Sequence, residues 1–195
     1  MQLVLDWDGT VTVRDSLVAA IHALGDPSVY DVGIEEFPSY GEALAAEIAT
    51  LQVTAEEAAR WAVENVEVSP GFHELVERYD PVIVSSGLPQ LILPVLEREG
   101  VDVEVRSNDA EVRPDGWRVI FRDEGVCEIC GDKCKRRSLP DGSPLVFVGD
   151  GWSDRCASLA ADRVFARRGL AVYLDGQGVA YEPFDDLHTV AAALS

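Results

Sequence analysis

Two aspartates lie one residue apart near the start of the chain, in the stretch LVLDWDGT, where three apolar residues run directly into Asp6 and Asp8. Side chains two positions apart in an extended segment point the same way, so both carboxylates can address one bound group. One aspartate can attack phosphorus and form an aspartyl-phosphate, while the other donates and accepts protons. Gly9 lets the backbone approach a phosphate closely, and its N–H can donate to phosphate oxygens. This spacing predicts phosphoryl chemistry.

Polar residues also follow two other apolar runs. The stretch VIVSSG ends in Ser85, Ser86 and Gly87, and LVFVGDGWSD carries Asp150 and Asp154. Ligands of a parallel sheet bind beyond the carboxyl ends of its strands, so we expect these groups to meet at one edge. Converging carboxylates raise one another's pKa unless a cation neutralises them. A hard divalent ion with oxygen ligands, Mg²⁺, is the expected cofactor.

A fixed positive charge on the transferring group is the remaining requirement of phosphoryl transfer. The chain has two lysines, Lys133 and Lys135, both shortly before the strand that ends in Asp150. Ser85 supplies a hydroxyl, and the backbone of Ser86 and Gly87 supplies further donors.

The elements that must position these residues alternate between strands and helices. Continuous apolar runs at 3–5, 82–84, 145–148 and 164–166 indicate strands buried on both faces. Helical spacing at 89–98, 153–161 and 186–194 separates or follows them. This alternation predicts an α/β fold, a Rossmann-like doubly wound parallel sheet.

Two segments interrupt the alternation. About seventy residues after the first strand show only helical signals, including a cap at Asp15 and a capping box formed by Thr54 and Glu57, which predicts a helical insert. Between 101 and 121, VDVEV and WRVIF alternate around the turn PDG, which predicts a small antiparallel hairpin.

The ordered set DWDGT, SSG, a lysine and GDGWSD resembles the four motifs of the haloacid dehalogenase superfamily of phosphatases. The resemblance implies Asp6 as nucleophile, Asp8 as general acid and base, and Ser85 with a lysine as phosphate clamps. It places Mg²⁺ on Asp6, the Asp8 carbonyl and Asp150, supported by Asp154. We expect further contacts with substrate or phosphate from Gly9, Thr10, Asp15, Ser86 and Gly87.

The insert resembles the family's small helical cap. We therefore expect a catalytic core of residues 1–13 and 71–195 and a cap of residues 14–70. The CGDKCK stretch and the tail from FARRGL to DDLHTV resemble a subgroup that includes the methionine-salvage phosphatase and the phosphocholine and phosphoethanolamine phosphatases. By that match the catalytic lysine is Lys135, directly after Cys134, and Lys133 is the second choice. Trp7 stands where the family usually has Phe, which we expect to be a packing change.

The expected activity is Mg²⁺-dependent hydrolysis of a small phosphorylated metabolite. Phosphoserine hydrolysis, phosphoryl transfer to an acceptor other than water, and a non-catalytic binding module stay as alternatives. In the first eighty positions the basic residues are Arg14, Arg60 and Arg78, which offers little to clamp a substrate carboxylate. Neutral or amine-bearing phosphomonoesters are therefore expected to be hydrolysed better than phosphoserine.

Three cysteines crowd together in CEICGDKC. Cys127, Cys130 and Cys134 have the spacing of half a zinc site, but a closed site needs a fourth ligand, from Cys156 or a histidine. A redox-sensitive cluster and ordinary packing beside the lysine are the alternatives. We favour packing and expect no stoichiometric zinc.

Charge and composition limit the partners. A formal net charge of −19 repels nucleic-acid phosphates and anionic lipid, so we expect neither nucleic acid nor membrane as a partner. The chain lacks an apolar run long enough for a membrane span and begins without a basic leader, which predicts a cytoplasmic protein. The oligomeric state is left open, with a homodimer among the alternatives.

Overall fold

The computed structural model of the protein describes residues 1–123 and 125–195. Its strands are β1 (Gln2–Leu5), β2 (Val82–Val84), β3 (Val105–Arg106), β4 (Asp109–Glu111), β5 (Arg118–Ile120), β6 (Leu145–Gly149), β7 (Arg163–Ala166) and β8 (Glu182–Pro183). Six of them form one sheet in the order β3-β2-β1-β6-β7-β8, and every neighbouring pair is parallel. β4 and β5 form a separate antiparallel pair.

The helices are α1 (Ser16–Leu24), α2 (Tyr40–Ala49), α3 (Ala55–Asn65), α4 (Phe72–Tyr79), α5 (Pro89–Glu99), α6 (Arg155–Ser158), α7 (Arg168–Gln177) and α8 (Leu187–Ala193). Asp15 caps α1 by accepting a hydrogen bond from the Val18 amide at 2.8 Å. Thr54 and Glu57 form the predicted capping box at the start of α3. None of the helices in the described part of the chain is long and apolar enough to cross a membrane.

Alternate side chains of β1 lie in different apolar clusters. Leu3 and Leu5 pack in the cluster that includes side chains of α3, α4, α5 and α8. Val4 packs in the second cluster, with side chains of α7. Because successive strand residues face opposite sides of a sheet, both faces are covered by helices. The predicted doubly wound α/β fold is therefore confirmed.

The predicted hairpin is wrong in one of its two strands. Its second strand, β5, pairs with β4 and not with the stretch VDVEV. Val105 and Arg106 of that stretch instead pair in parallel with Ile83 and Val84, which makes β3 the edge of the main sheet. The reason is that β2 would otherwise have an unpaired edge, and this pairing satisfies it: the Ile83 amide donates to the Glu104 carbonyl at 2.9 Å.

Two elements after β6 also differ from the prediction. The helix expected over 153–161 is a short turn at Trp152–Asp154 followed by α6. Helix α7 was not predicted from the sequence, because it contains Gly169 and Gly176 and glycine disfavours helix.

The two connections of the helical insert lie side by side. Thr12 and Val68 form an isolated antiparallel bridge, and the Ser69 amide donates to the Val11 carbonyl at 2.7 Å. The chain therefore leaves and re-enters the sheet region at one place. The division into a core of 1–13 and 71–195 and a cap of 14–70 stays a prediction.

Candidate active site

The carboxyl ends of three adjacent strands carry the predicted residues. Asp6 follows β1, Ser85 follows β2 and Asp150 follows β6, and these strands are neighbours in the order β2-β1-β6. The Asp6 amide still donates to the Val148 carbonyl at 2.9 Å, so Asp6 is held by the sheet itself. The structure thus brings together the groups that the sequence placed at one edge.

Three carboxylates converge on a lysine. Oxygens of Asp6, Asp150 and Asp154 all lie within 4.8 Å of one another. The Lys135 ammonium donates to Asp6 Oδ1 and, at 2.8 Å, to Asp154 Oδ1. Asp6 and Asp154 are only 2% and 0% exposed, so these ion pairs are shielded from water.

Burial and mutual repulsion dominate the electrostatics of this cluster. Burial raises the pKa of Asp6 well above its ordinary value and Asp154 raises it further, while Lys135 opposes the shift. Burial and Asp154 also raise the pKa of Asp150, and Arg168 opposes them. Burial alone would lower the pKa of Lys135, but Asp154 and Asp6 outweigh it and the pKa rises. Lys135 and Arg168 supply two positive charges against three carboxylates, which leaves a net negative charge for a cation to neutralise.

The donor set suits a hard cation. Carboxylate oxygens are the ligands that Mg²⁺ and Ca²⁺ prefer, and the cluster presents oxygens from two elements at close range. Asp154 is already engaged through both oxygens, because its Oδ2 accepts from the amides of Asp150 and Gly151 at 3.0 Å each. This arrangement fits a magnesium site in which Asp154 supports the other groups.

Asp8 has different surroundings from Asp6. Its Oδ1 accepts hydrogen bonds from the Ser16 amide at 2.8 Å, the Ser16 hydroxyl at 2.5 Å and the Leu17 amide at 3.3 Å. These donors form the N-terminus of α1, where amide dipoles favour negative charge. The buried Trp7 indole donates to the Ser16 hydroxyl at 3.1 Å, so Trp7 orients Ser16 besides packing in the core.

The turn after Asp8 requires glycine but uses its amide internally. Gly9 has φ +72°, and a Cβ there would collide with the Asp150 carboxylate and lie 2.8 Å from the Arg168 guanidinium. The Gly9 amide donates to Thr12 Oγ1 at 3.1 Å. A phosphate that accepts from this amide would have to replace Thr12 Oγ1, and the contact between Gly9 and phosphate stays a prediction. Thr10 is fully buried, and its carbonyl accepts from Ser69 at 2.8 Å.

A cavity of about 180 Å³ opens over the carboxylates. Of the five residues predicted to contact substrate or phosphate, Asp15, Ser86 and Gly87 line this cavity, whereas Gly9 and Thr10 do not. The full lining is Asp6, Asp8, Asp15, Leu17, Val18, Tyr40, Leu44, Glu47, Ser86, Gly87, Lys135, Asp150, Gly151, Trp152 and Ser153. Ser85 is buried beside it, where its hydroxyl accepts from the Gly87 amide at 2.8 Å.

Two acids on the wall of this cavity have raised pKa values. Burial raises the pKa of Glu47 to about 7. Burial, with repulsion from Asp8, also raises the pKa of Asp15 to about 7, although the Val18 amide opposes the shift. Burial likewise raises the pKa of Tyr40 to about 12. The part of the cavity wall formed by Asp15 and Glu47 is therefore acidic, and its charge changes near neutral pH.

The sequence reasoning missed several residues around the site. Arg168 donates to Asp150 Oδ2 at 2.9 Å, and Arg167 donates to the Gly9 carbonyl. Both directly follow β7, so the strand-end rule that identified Asp6 and Asp150 would have identified them too. Ser16 had no such signal, because its contact with Asp8 depends on where α1 begins in space.

The fold and the site define a class. The family model for haloacid dehalogenase-like hydrolase matches residues 3–158, and the chain belongs to this family. The family predicted from the four motifs is thereby confirmed.

Curated relatives cover nearly the whole chain. It is 27% identical to Pdp3-interacting factor 1 of Schizosaccharomyces pombe, over 94% of this chain and 91% of that protein. It is also 27% identical to polyol phosphate phosphatase PYP1 of Saccharomyces cerevisiae, over 97% and 90%. Identity to 2-hydroxy-3-keto-5-methylthiopentenyl-1-phosphate phosphatase of Bacillus thuringiensis is 21%, over 100% and 95%.

Solved structures share the fold. A phosphoserine phosphohydrolase-like protein from Francisella tularensis superposes with a TM-score of 0.70 at 17% identity, covering 100% of this chain and 99% of that one. A phospho-aspartyl intermediate analogue of phosphoserine phosphatase superposes with a TM-score of 0.72 at 14% identity, covering 98% and 97%. These structures show the fold, while the family match and the relatives named as phosphatases support the predicted enzyme class, a phosphoric monoester hydrolase.

Proposed function

We propose that this protein is a Mg²⁺-dependent phosphatase that hydrolyses the phosphomonoester of a small metabolite through an aspartyl-phosphate on Asp6. The observation that carries the proposal is the buried Lys135 ammonium, which joins Asp6 to Asp154 at the floor of a cavity that Asp8 and Asp150 also line. A nucleophilic carboxylate, a fixed cation and a second carboxylate within reach are the parts that phosphoryl transfer requires.

In the first step Asp6 attacks phosphorus and the ester oxygen leaves. Lys135 favours the ionised form of Asp6, against the burial that raises the pKa of this carboxyl, and it aims the carboxylate because Asp154 fixes the same ammonium. Asp8 gives its proton to the leaving alcohol, so the products of this step are the free alcohol and the aspartyl-phosphate.

In the second step water attacks the phosphorus of the aspartyl-phosphate. Asp8 takes the proton of that water, and Asp6 is released together with inorganic phosphate. The hydrogen bonds from Ser16 and Leu17 hold Asp8 in place between these two proton transfers. Ser85, Ser86 and Gly87 are proposed to hold the phosphate from the β2 side.

Magnesium would be held by Asp6, Asp150 and the Asp8 carbonyl, with Asp154 as their support. When bound, the ion supplies positive charge that neutralises the carboxylate cluster and the phosphate. Residues 14–70 are proposed to act as the cap, because α1 and α2 contribute Leu17, Tyr40 and Glu47 to the cavity wall.

The wall of the cavity favours a neutral or amine-bearing substrate. Asp15 and Glu47 are acidic, and within residues 1–123 and 125–195 no arginine lines this cavity. Arg168 approaches from the side but is engaged by Asp150 and by the carbonyls of Gly9 and Val13. Polyol phosphates, and alcohol phosphates that carry an amine, therefore suit the site better than phosphoserine, whose carboxylate would face the acids.

Phosphate release from p-nitrophenyl phosphate tests the activity. We expect release with Mg²⁺, none after treatment with EDTA, and recovery when Mg²⁺ is returned. The Asp6→Asn variant is the matched control for a contaminating phosphatase. Absence of release with Mg²⁺ from a folded wild-type protein would leave a binding module as the better reading.

A panel of phosphorylated metabolites tests the substrate class. We expect glycerol phosphates, other polyol phosphates and phosphoethanolamine to show higher kcat/KM than phosphoserine or phosphoglycolate. Product analysis with added alcohols shows whether water is the acceptor. Phosphoserine as the best substrate would contradict the proposal.

A further inference from the structure

All four cysteines of the chain meet in one place. The Sγ atoms of Cys127, Cys130, Cys134 and Cys156 lie within 4.8 Å of one another, and those of Cys127 and Cys156 are 3.6 Å apart. All four are free thiols, so no disulfide accounts for the cluster. Cys156, on α6, is the fourth partner that the sequence left undecided.

The loop that carries Cys127 and Cys130 is a closed turn. Gly131 has φ +72°, and its amide donates to the Cys127 carbonyl at 2.8 Å. The Cys127 amide donates to the Asp132 carbonyl at 2.8 Å, which closes the turn from its other end. The turn therefore brings Cys127 and Cys130, three residues apart, to the same place.

We propose that Cys127, Cys130, Cys134 and Cys156 bind one structural Zn²⁺. A Zn–S bond of about 2.3 Å in a tetrahedron places neighbouring sulfurs about 3.8 Å apart. The Cys127–Cys156 separation of 3.6 Å is close to that value and no other pair exceeds 4.8 Å, so a single ion fits with small movements of the side chains. In an iron–sulfur cluster several metal atoms stand between the cysteines, which holds the sulfurs farther apart than they are here.

Nearby guanidinium groups offset the charge of such a site. Four thiolates and one Zn²⁺ carry two net negative charges. The Arg136 guanidinium donates to the Cys156 carbonyl at 3.2 Å, and Arg155 interacts electrostatically with Cys130 and Cys156. The cluster therefore lies among cations, in a chain that is acidic elsewhere.

The site would fasten together the two segments that supply the lysine and its acid partner. Cys134 directly precedes Lys135, and Cys156 follows Asp154 by two residues. Lys135 and Asp154 form a buried ion pair at 2.8 Å. One ion bound to both segments would fix their spacing, which makes the zinc a positioning element for the Lys135–Asp154 pair. The expectation of ordinary cysteine packing gives way to this proposal because Cys156 completes the ligand set.

Metal analysis of protein purified without chelator tests the proposal directly. We expect one zinc per chain, falling to below about 0.2 in Cys130→Ser and Cys156→Ser, because a structural site needs all four ligands. Two matched controls should keep their zinc: Ser158→Ala, a buried truncation on α6, and Glu128→Gln, an exposed change in the loop. Asp150→Asn should also keep it, since that change alters only the oxygen cluster.

Cobalt substitution identifies the donors without relying on activity or on the folding of a variant. Wild-type protein reloaded with Co²⁺ should show the intense visible absorption of a tetrahedral thiolate site, and mercurial titration of four thiols should release the bound zinc. A zinc-free wild type, iron in place of zinc, disulfides found by mass spectrometry, or full zinc retention in Cys156→Ser would each overturn the proposal.

Discussion

Asp6 and Asp8 are chemically identical, yet the structure gives them different partners. Asp6 shares a buried ammonium with Asp154, whereas Asp8 accepts three hydrogen bonds from the start of α1. A fixed cation beside a carboxylate favours its ionised form, which is the form that can act as a nucleophile. A carboxylate held at a helix N-terminus in an open cavity keeps its position while it exchanges a proton.

The difference predicts distinct effects of two isosteric substitutions. Asp6→Asn should abolish phosphoenzyme formation and lower kcat by at least about 10³-fold, because the nucleophile is lost. Asp8→Asn should lower kcat by roughly 10²- to 10⁴-fold through the lost proton transfer while Mg²⁺ affinity changes little. Rapid-quench detection of phosphoenzyme and calorimetric Mg²⁺ titration separate the two. Full activity in Asp6→Asn would refute the mechanism.

The two lysines provide an internal comparison. Lys135 is buried against Asp6 and Asp154, whereas Lys133 donates to the carbonyls of Asp123 and Gly125. Lys135→Ala should therefore lower kcat by roughly 10²-fold or more, the usual cost of losing a donor to transition-state charge.

Lys133→Ala is the matched control, and its kcat should stay within about threefold of wild type because the Lys133 ammonium donates to the backbone carbonyls of Asp123 and Gly125. Circular dichroism first checks that both variants fold. Steady-state kinetics with p-nitrophenyl phosphate then compares their kcat values. Equal losses in the two variants would remove the distinction between them.

Individual site residues could be predicted from the sequence when they directly follow a strand or belong to a motif. Asp6, Ser85 and Asp150 follow apolar runs, so their meeting follows from a parallel sheet alone. Cys156 and Ser16 were not assigned, because their partners depend on how α6 and α1 dock. A short stretch of sequence does not show how a helix packs against distant parts of the chain, so these contacts could not be predicted.

Among the elements, helix α1 belongs to the helical insert and also contacts a predicted catalytic residue directly. Its first turn directs the amides of Ser16 and Leu17 at Asp8, and the Ser16 hydroxyl adds a third donor that the Trp7 indole orients. A helix terminus with a capped start thus becomes part of the acid–base machinery.

Ser16→Ala should test that role. Removing one hydrogen bond to a charged group corresponds to about 1.5 kcal/mol, so we expect kcat to fall roughly tenfold with little change in KM. Ser28→Ala, an exposed serine in the same insert, should leave kcat unchanged. An unchanged kcat in Ser16→Ala, measured on a folded protein, would show that the amides alone suffice.

The elements were predictable in proportion to their length and burial. β1, β2 and β6 are continuous apolar runs buried on both faces, and the sequence pattern found each of them. β3 and β8 are two residues long and partly exposed, so their pairing is set by the neighbouring strand and leaves no periodic signal.

For the whole molecule, the net charge of −19 has a local counterpart in the acidic wall of the cavity. General acidity acts over a distance of about 10 Å and weakens with salt. Glu47 and Asp15 instead act within the cavity, and burial raises the pKa of each to about 7. Their charge therefore changes in the range where phosphatases are commonly assayed.

This charge change predicts a pH-dependent choice of substrate. Below pH 7 the Glu47 carboxyl is protonated and neutral, so a substrate's ammonium gains little from it; above pH 7 the carboxylate attracts the ammonium. The ratio of kcat/KM for phosphocholine to that for glycerol 1-phosphate should rise from pH 6 to pH 8 by roughly 3- to 10-fold, about 1 kcal/mol in a partly hydrated cavity. Because both substrates share the same catalytic groups, the ratio cancels the pH dependence of the chemistry.

The Glu47→Gln variant tests whether ionisation of Glu47 causes this rise in the kcat/KM ratio. Glu47 and Glu42 both lie on α2, but Glu42 is exposed and does not line the cavity. Glu47→Gln should flatten the rise in the ratio, leaving the part that Asp15 contributes, whereas Glu42→Gln should keep it. Repeating the measurement at high salt separates the sources, since a direct contact persists when general acidity is screened. A ratio that falls with pH, or an unchanged rise in Glu47→Gln, would show that this wall does not select the substrate.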